Sequence, residues 1–384
     1  MDKQLNLKPA FIERMQKLLE KNDFEKYIKS LDQDTQVSIR CNTLKISPEE
    51  LKTRLETKGW KISQPWKSYP EVFVVEGKFV NEDEAEEIKR KLMDKGINVN
   101  IIKNIDDKIV NEKVNDINNI SISKQREPDD GLGCEKGQIL INLEPGELGR
   151  SLEHLLGYYY AQDLASMLPV LVLEPKPGEL ILDMCSSPGS KTTQIAASMG
   201  NKGSVIANEV SLGRIKILAA NLERCGASNS VITKKDGIAL CKRLGNAGFL
   251  FDKILIDAPC SGEGTLRSSP KTSIMWNPKA ITSLSKLQKS MVESAIEILK
   301  PNGIIVYSTC THTPEENEEV LDYILNKFKD SVKIEPIKLP VKCREGITEW
   351  QDKKYSSEVK KACRVYPHDT GTEGFFVAKL RKIK

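Results

Sequence analysis

No two cysteines in this chain fall in a CxxC pair, and histidine is scarce. The nine cysteines stand at positions 41, 134, 185, 225, 241, 260, 310, 343 and 363, and the three histidines are scattered among 384 residues. These spacings exclude a zinc framework and give no disulfide scaffold. No run of about 18 apolar residues occurs, so no membrane span is expected, and the amino terminus does not read as a signal peptide. These absences point to a reducing, cytoplasmic compartment in which a cysteine is free to work as a thiol. The length calls for two domains with an insert.

A strong excess of charge is also missing: the formal net charge is +4. Its distribution is uneven, with 12 Lys and Arg against 6 Asp and Glu from Lys338 to Lys384. A local basic surface of this kind suits a polyanion, and a merely solvated lysine-rich surface fits the count equally well.

What the chain does have is one organising stretch, LILDMCSSPGSKTTQIAA from Leu180 to Ala197. The apolar Leu180, Ile181 and Leu182 suit a buried parallel strand, Pro188 and Gly189 interrupt it, and Thr192 to Ala197 resume as helix formers. A ligand can approach bare backbone at such a strand end. PGSKTT resembles the tail of a P-loop, and KILIDAP a Walker B strand. Ser190 separates Gly189 from Lys191, and the first glycine position is a strand residue, so a phosphate nest is not encoded.

Before that stretch, Pro9 to Leu31 reads as a packing helix with Phe11, Met15, Leu18 and Leu19 on one face. Val37 to Leu44 reads as a strand ending in RCNTLK. A helix then opens with Ser47 as N-cap and Pro48 at its first position, and Gly59 closes it. Trp60 to Ile62 and Val72 to Val75 complete a small βαβ-like module ending near Gly77. Asn81 to Lys95 reads as a charged helix. Ile97 to Ser123, with eight Ile and seven Asn, is a biased, β-prone insert, and EPDDGLGCEKG is a loop without EF-hand ligand spacing.

From Leu155 onward strands and helices alternate. Strands are expected at Ser204–Asn208, Ser230–Thr233, Lys253–Asp257, Gly303–Ser308 and Gly374–Leu380. Helices are expected at Leu212–Cys225, Ala280–Leu299 and Glu315–Phe328, the second with Ile281, Leu284, Leu287, Met291, Ala295 and Ile298 inward. This pattern predicts an α/β fold with a doubly wound, mostly parallel, Rossmann-like sheet.

Acids end or follow four successive strands: Asp183, Glu209, Asp236 and Asp257. Each alone fits a helix N-cap. Together they favour a nucleoside-bearing ligand, since an ionised carboxylate accepts from both hydroxyls of a ribose diol. Cys260, in DAPCSGEGTLR, follows one strand, and Cys310, in YSTCTHTPEENEE, follows the next. A single buried cysteine is usually a small hydrophobe, but two in matching turns read as reactive thiols. A helix starting at Pro314, capped by Thr311 or Thr313, would set its positive end beside Cys310, a setting that favours a thiolate.

DMCSSPGSKTTQ, DAPCSGEGTLR and STCTHTPEENEE resemble the cofactor, Pro-Cys and Thr-Cys motifs of the Sun-type RNA (cytosine-5) methyltransferases. RCNTLK, GYYYAQDLASMLP and RVYPHDTGTEGFFVAKL are similar to that family's flanking motifs. The likeness covers Val37 to Trp60 and Leu155 to Lys379. It departs at Ser186, Ser187 and Ser190, where many relatives carry Ala-Ala and Gly-Gly; all three residues remain small.

The resemblance implies S-adenosylmethionine as cofactor and RNA as substrate, while the missing apolar run and the cysteine spacings lead to the expectation of no membrane and no metal. Cys185, Ser186, Ser187, Pro188, Gly189, Ser190 and Lys191 would form the cofactor turn, with Lys191 also among the catalytic residues. Glu209 would hold the ribose, Arg214 would support it, Asp236 would lie near the adenine, and Asp257 between cofactor and base. Cys310 would be the nucleophile and Cys260 would assist product release. A thiolate adding to cytosine carbon 6 makes carbon 5 nucleophilic, and the base must be unstacked to be reached. The resulting division is an RNA-binding-type α+β module over 1–78, an insert over 79–138 and a methyltransferase domain over 139–384. The favoured reading is a tRNA cytosine-5 methyltransferase. A ribosomal RNA methyltransferase and a non-catalytic RNA-binding protein of the same fold are the alternatives.

Overall fold

The computed structural model describes residues 7–93, 99–102, 120–123, 138–144, 146–269 and 271–384. The EPDDGLGCEKG segment and most of the isoleucine- and asparagine-rich stretch lie outside these. Among the described residues no helix is long and apolar enough to cross a membrane.

A nine-stranded sheet carries the second half of the chain. Its order is Ser230–Thr233, Ser204–Asn208, Leu180–Asp183, Phe251–Asp257, Leu299–Thr309, Phe375–Lys382, Cys363–Val365 and Arg344–Glu345, with Val332–Glu335 also on Phe375–Lys382. The first five are parallel to their neighbours, and those beyond Leu299–Thr309 are antiparallel. The apolar strands are buried on both faces. Ile181, Leu255 and Val306 join one apolar cluster, while their neighbours Leu182, Ile254, Ile305 and Tyr307 join the other. Period-two side chains inside a continuous apolar run require such a double covering. Strand order reverses between Leu180–Asp183 and Phe251–Asp257, which opens a crevice at their carboxyl ends.

The helices expected at Leu212–Cys225 and, within Pro278–Glu297, from Ala280 onward are present. Leu287 is 36% exposed, not inward, because it falls off the stripe made by Ile281, Ser285, Gln288 and Met291. The helix expected from Glu315 is instead a 3-10 turn over Pro314–Glu316 followed by a helix over Glu318–Lys327.

The first half forms a second sheet, and here the expected βαβ pairing is corrected. Val37–Cys41 and Trp60–Ser63 both pair antiparallel with Val72–Asn81. Gly77 does not end the module. It sits at φ 152° in a bulge, where a Cβ would come within 2.4 Å of the Ile141 carbonyl, and the strand continues to Asn81 to pair with Gln138–Ile141. Val99–Ile102, Ile120–Ser123 and Tyr159–Ala161 complete the sheet. Ser47 caps the helix Pro48–Thr57 by accepting from Glu50 N–H.

The amino-terminal helix is two helices, Pro9–Leu18 and Lys21–Leu31, broken by extended backbone at Leu19 and Glu20. The break lets Phe11, Met15, Leu19, Tyr27 and Leu31 share one cluster with Leu266, Trp276 and Tyr366. Cys343 and Cys363 form a disulfide with their Cα atoms 5.4 Å apart, a pairing that sequence spacing did not signal. It links the approach to Arg344–Glu345 with the strand that pairs with it.

Candidate active site

Three parallel strands deliver the crevice. Asp183 ends the first, fully buried, with the Thr192 hydroxyl donating to its Oδ2 at 2.7 Å; burial pushes its carboxyl up to about 6. Asp183 Oδ1 is buried without a hydrogen-bond partner. The turn after it is tied down by its small residues. Ser186 Oγ donates to the Asp183 carbonyl at 2.8 Å, and Ser187 Oγ donates to the Arg214 carbonyl at 3.1 Å. Pro188 follows a cis peptide bond, and Gly189, at φ 108°, precedes the helix Ser190–Ser198. The residues expected to form the cofactor turn therefore stand together.

Glu209, 3% exposed, follows Ser204–Asn208. Its Oε1 accepts from the Ser211 N–H at 2.8 Å and its Oε2 lies 3.3 Å from Arg214 Nη1. Arg214 Nη2 also donates to the Ser187 carbonyl at 2.7 Å. Asp236 is exposed and caps the helix Gly237–Asn246, its Oδ1 accepting from the Ala239 N–H at 3.0 Å, so the ordinary capping role is present there. Cys185 lies in the field of Asp183, Asp257 and Glu209, and burial above all pushes its thiol well up.

Asp257 ends Phe251–Asp257. Its Oδ2 is 2.7 Å from Lys191 Nζ and its Oδ1 accepts from Ser308 Oγ at 2.9 Å. Lys191 is 8% exposed, donates to Ser166 Oγ at 2.9 Å and lies over the Phe375 ring.

The two cysteines come together as expected, their sulfurs 3.2 Å apart. The neighbouring Cys310 sulfur, and then burial, pushes the Cys260 thiol well up. The expected cap is corrected. Thr313 makes no side-chain cap, Thr311 Oγ1 accepts from the Thr313 N–H at 3.3 Å, and the α-helix begins only at Glu318, after the 3-10 turn.

The basic carboxyl-terminal segment is less free than its count implied. Lys342, Arg344, Lys353, Lys361, Arg364, Lys379 and Arg381 are in ion pairs, and Lys382 donates to two carbonyls. Asp369 and Glu358 of the same segment neutralise some of them, and Glu174, Glu318, Glu319 and Glu335 from elsewhere in the chain neutralise the others.

This geometry matches a known family model. Residues 170–381 match the model described as 16S rRNA methyltransferase RsmB/F, which covers more than half of the chain. The chain belongs to the RsmB/F family. Residues 7–83 match the N-terminal domain of 16S rRNA methyltransferase RsmF. Among relatives, the chain is 46% identical over 234 residues to a tRNA (cytosine(49)-C(5))-methyltransferase of Pyrococcus abyssi, covering 61% of this chain and 73% of that one. It is 33% identical over 380 residues to ribosomal RNA small subunit methyltransferase F of Erwinia tasmaniensis, covering 98% of this chain and 63% of that one. The chain thus spans less than two thirds of that ribosomal relative. Among solved structures, NSun6 from Pyrococcus horikoshii with SFG aligns at a TM-score of 0.71 and 27% identity, covering 98% of each chain. The Sun-type family, its Rossmann-like fold and its S-adenosylmethionine-dependent RNA cytosine-5 methyltransferase chemistry stand as the motifs implied.

The RsmB/F crevice fits that cofactor on its own chemistry. The cofactor carries a sulfonium and an ammonium against one carboxylate. Asp183, Glu209 and Asp257 offer acids on three adjacent strands, one with a buried unpartnered oxygen. Several residues that hold this site escaped sequence reasoning. Glu263 and Glu316 lie inside the motifs quoted above and were legible as buried acids only in three dimensions. Ser166 and Arg40 lie inside the flanking motifs GYYYAQDLASMLP and RCNTLK but were not singled out there, and Gln288 carried no signal. Arg40 reaches from the first sheet to the start of the helix after the cofactor turn, donating to Thr193 Oγ1 at 2.9 Å and to Gln162 Oε1 at 3.0 Å.

Proposed function

We propose that this chain methylates carbon 5 of a cytosine in RNA, with Cys310 as nucleophile and Cys260 as the group that assists release. The observation that carries this reading is the 3.2 Å separation of the two sulfurs beside the Lys191–Asp257 pair. S-adenosylmethionine, when bound, supplies an electrophilic methyl on its sulfonium. The residues from Cys185 to Lys191 would hold it with Glu209 on the ribose, Arg214 in support and Asp236 near the adenine.

The Cys310 thiolate adds to carbon 6 of the flipped base, and ring nitrogen 3 takes a proton from the Asp257–Lys191 pair, which receives it back when the thiolate leaves. Carbon 5 of the resulting enamine takes the methyl. A general base takes the carbon 5 proton, its bonding pair forms the carbon 5–carbon 6 double bond, and Cys310 is expelled as a thiolate, which restores the aromatic ring. Cys260, a thiol held beside the Cys310 sulfur, stands where it can assist that last step.

We favour tRNA as substrate, in the cytoplasm, because the tRNA-named relative is the more similar of the two types and the chain covers most of it. The ribosomal reading has its own support in the RsmF N-terminal match at residues 7–83. The first sheet, with its Arg40 bridge to the cofactor turn, is the proposed RNA-binding-type module. Transfer of a tritiated methyl to total RNA, followed by bisulfite mapping, tests the reading. Label on a tRNA cytosine supports it, label on ribosomal RNA selects the alternative, and no label on any RNA leaves a non-catalytic RNA-binding protein.

A further inference from the structure

The turns that carry the two cysteines are cross-linked in both directions. Ser261 Oγ lies 2.7 Å from Thr311 Oγ1, and the Gly264 N–H donates to the Cys310 carbonyl at 2.9 Å. Glu263, from the first turn, accepts from the Thr313 hydroxyl of the second at 2.7 Å. Glu316 returns the link from the second turn to the first. Its Oε2 accepts from the Ser261 N–H at 3.1 Å and from Gln288 Nε2 at 2.8 Å, and the same Gln288 amide donates to the Pro259 carbonyl at 2.9 Å.

Cys260 is therefore bracketed, on its carboxyl side by Glu316 directly and on its amino side through Gln288. Both bracketing side chains are fully buried, whereas Cys260 is half-buried and Pro259 is exposed. The clamp is itself anchored: Tyr307 Oη donates to the Glu316 carbonyl, and Asn317 Nδ2 donates to the Thr311 carbonyl at 2.9 Å. The polar partners that hold the carboxyl are neutral, and burial pushes it up to about 7. A buried carboxyl without a cationic partner is a poor way to stabilise a fold. Its geometry serves the loop instead.

We infer that Glu316, with Gln288 as its outer arm, is a positioning residue for Cys260, holding the Pro259–Ser261 turn so that the Cys260 sulfur stands against that of Cys310. The inference rests on the reading in which Cys260 assists release. If the turn slackens, Cys310 still adds to the base and the methyl is still transferred, but the covalent protein–RNA species persists.

The test incubates the full chain with total RNA and methyl-tritiated S-adenosylmethionine and measures RNA-linked label on the protein band of a denaturing gel. Glu316→Ala should retain label as Cys260→Ala does, at least roughly ten-fold over wild type, given the size of typical proton-transfer and release assistance. Glu316→Gln, which still accepts from the Ser261 N–H, should restore release. A purely structural role predicts slower addition and release together, with no retained label. Should Glu316→Ala fail to fold, Gln288→Ala gives the same readout. Label on Cys260→Ala but on neither Glu316→Ala nor Gln288→Ala overturns the inference and leaves the cysteine roles standing. No label on Cys260→Ala overturns the cysteine roles, and the inference with them.

Discussion

The Lys191 ammonium lies 2.7 Å from Asp257 Oδ2, joining the cofactor turn to the end of the strand that precedes Cys260. Both groups belong to motifs separated by 66 positions in the sequence, and Ser166 and Ser308 hold the two ends of the pair in place. The ammonium is nearly buried, so its charge is weakly screened where charge develops on the base.

Replacing Lys191 with Met should therefore slow the chemical step by roughly 100-fold, the scale seen when one preorganised donor is removed from an active site. Single-turnover methyl transfer measures it. A rate equal to wild type at saturating cofactor would remove Lys191 from the chemistry and leave it a packing residue on Phe375.

Glu209→Ala addresses the cofactor rather than the base. Its carboxylate is buried and already accepts from the Ser211 N–H, with Arg214 alongside. Removing it should weaken S-adenosylmethionine binding by about 1 to 3 kcal/mol, the cost of unmade polar contacts. Calorimetry on the free protein reads this directly, and an unchanged affinity would take Glu209 out of the site.

The strands around the crevice were legible because their apolar runs are short and bounded by turns, and Ser204–Asn208 and Ser230–Thr233 fall where the sequence puts them. The cysteines were legible because each follows such a strand. The first sheet was not, since strand direction is set by partners distant in sequence: Val72–Asn81 pairs along its first half with Val37–Cys41 and along its second with Gln138–Ile141. Charge was the least transferable signal. The excess of Lys and Arg after Lys338 is largely matched by acids from elsewhere, as Arg364 is by Glu318 and Lys353 by Glu319.

Acid stability should report on His312, two residues after Cys310. Its ring is buried, stacked on Tyr366 with centroids 4.7 Å apart, and burial, helped by Arg364, pushes its pKa down to about 3. The unfolded chain therefore binds the proton first. Stability from the neutral ring is complete above the unfolded value near 6.5 and is lost as pH falls from there towards 3. Asp183, raised to about 6, works in the opposite sense, its contribution being lost as pH rises through that value. Between pH 7.5 and 4.5, wild type should lose roughly 2 to 3 kcal/mol more than His312→Phe, which keeps the stacking but cannot titrate. Urea unfolding at the two pH values measures the difference, and equal losses would show that the folded protein accommodates the charged ring.

The two cysteines should fail in different ways, although their sulfurs are 3.2 Å apart. Cys310→Ala removes the atom that adds to carbon 6, so methyl transfer should be lost while cofactor affinity stays close to wild type. Cys260→Ala leaves addition and methylation intact but removes the neighbour that assists expulsion, so a protein–RNA adduct should accumulate and survive a denaturing gel. The double mutant should show none, because the bond cannot form without Cys310. If Cys260 were only a small residue packed after its strand, its loss would cost a little stability and leave no adduct. Running both single mutants with RNA and S-adenosylmethionine on one gel separates the cases. Adduct on Cys310→Ala instead of Cys260→Ala would exchange the two roles, and adduct on neither would leave Cys260 without a part in release.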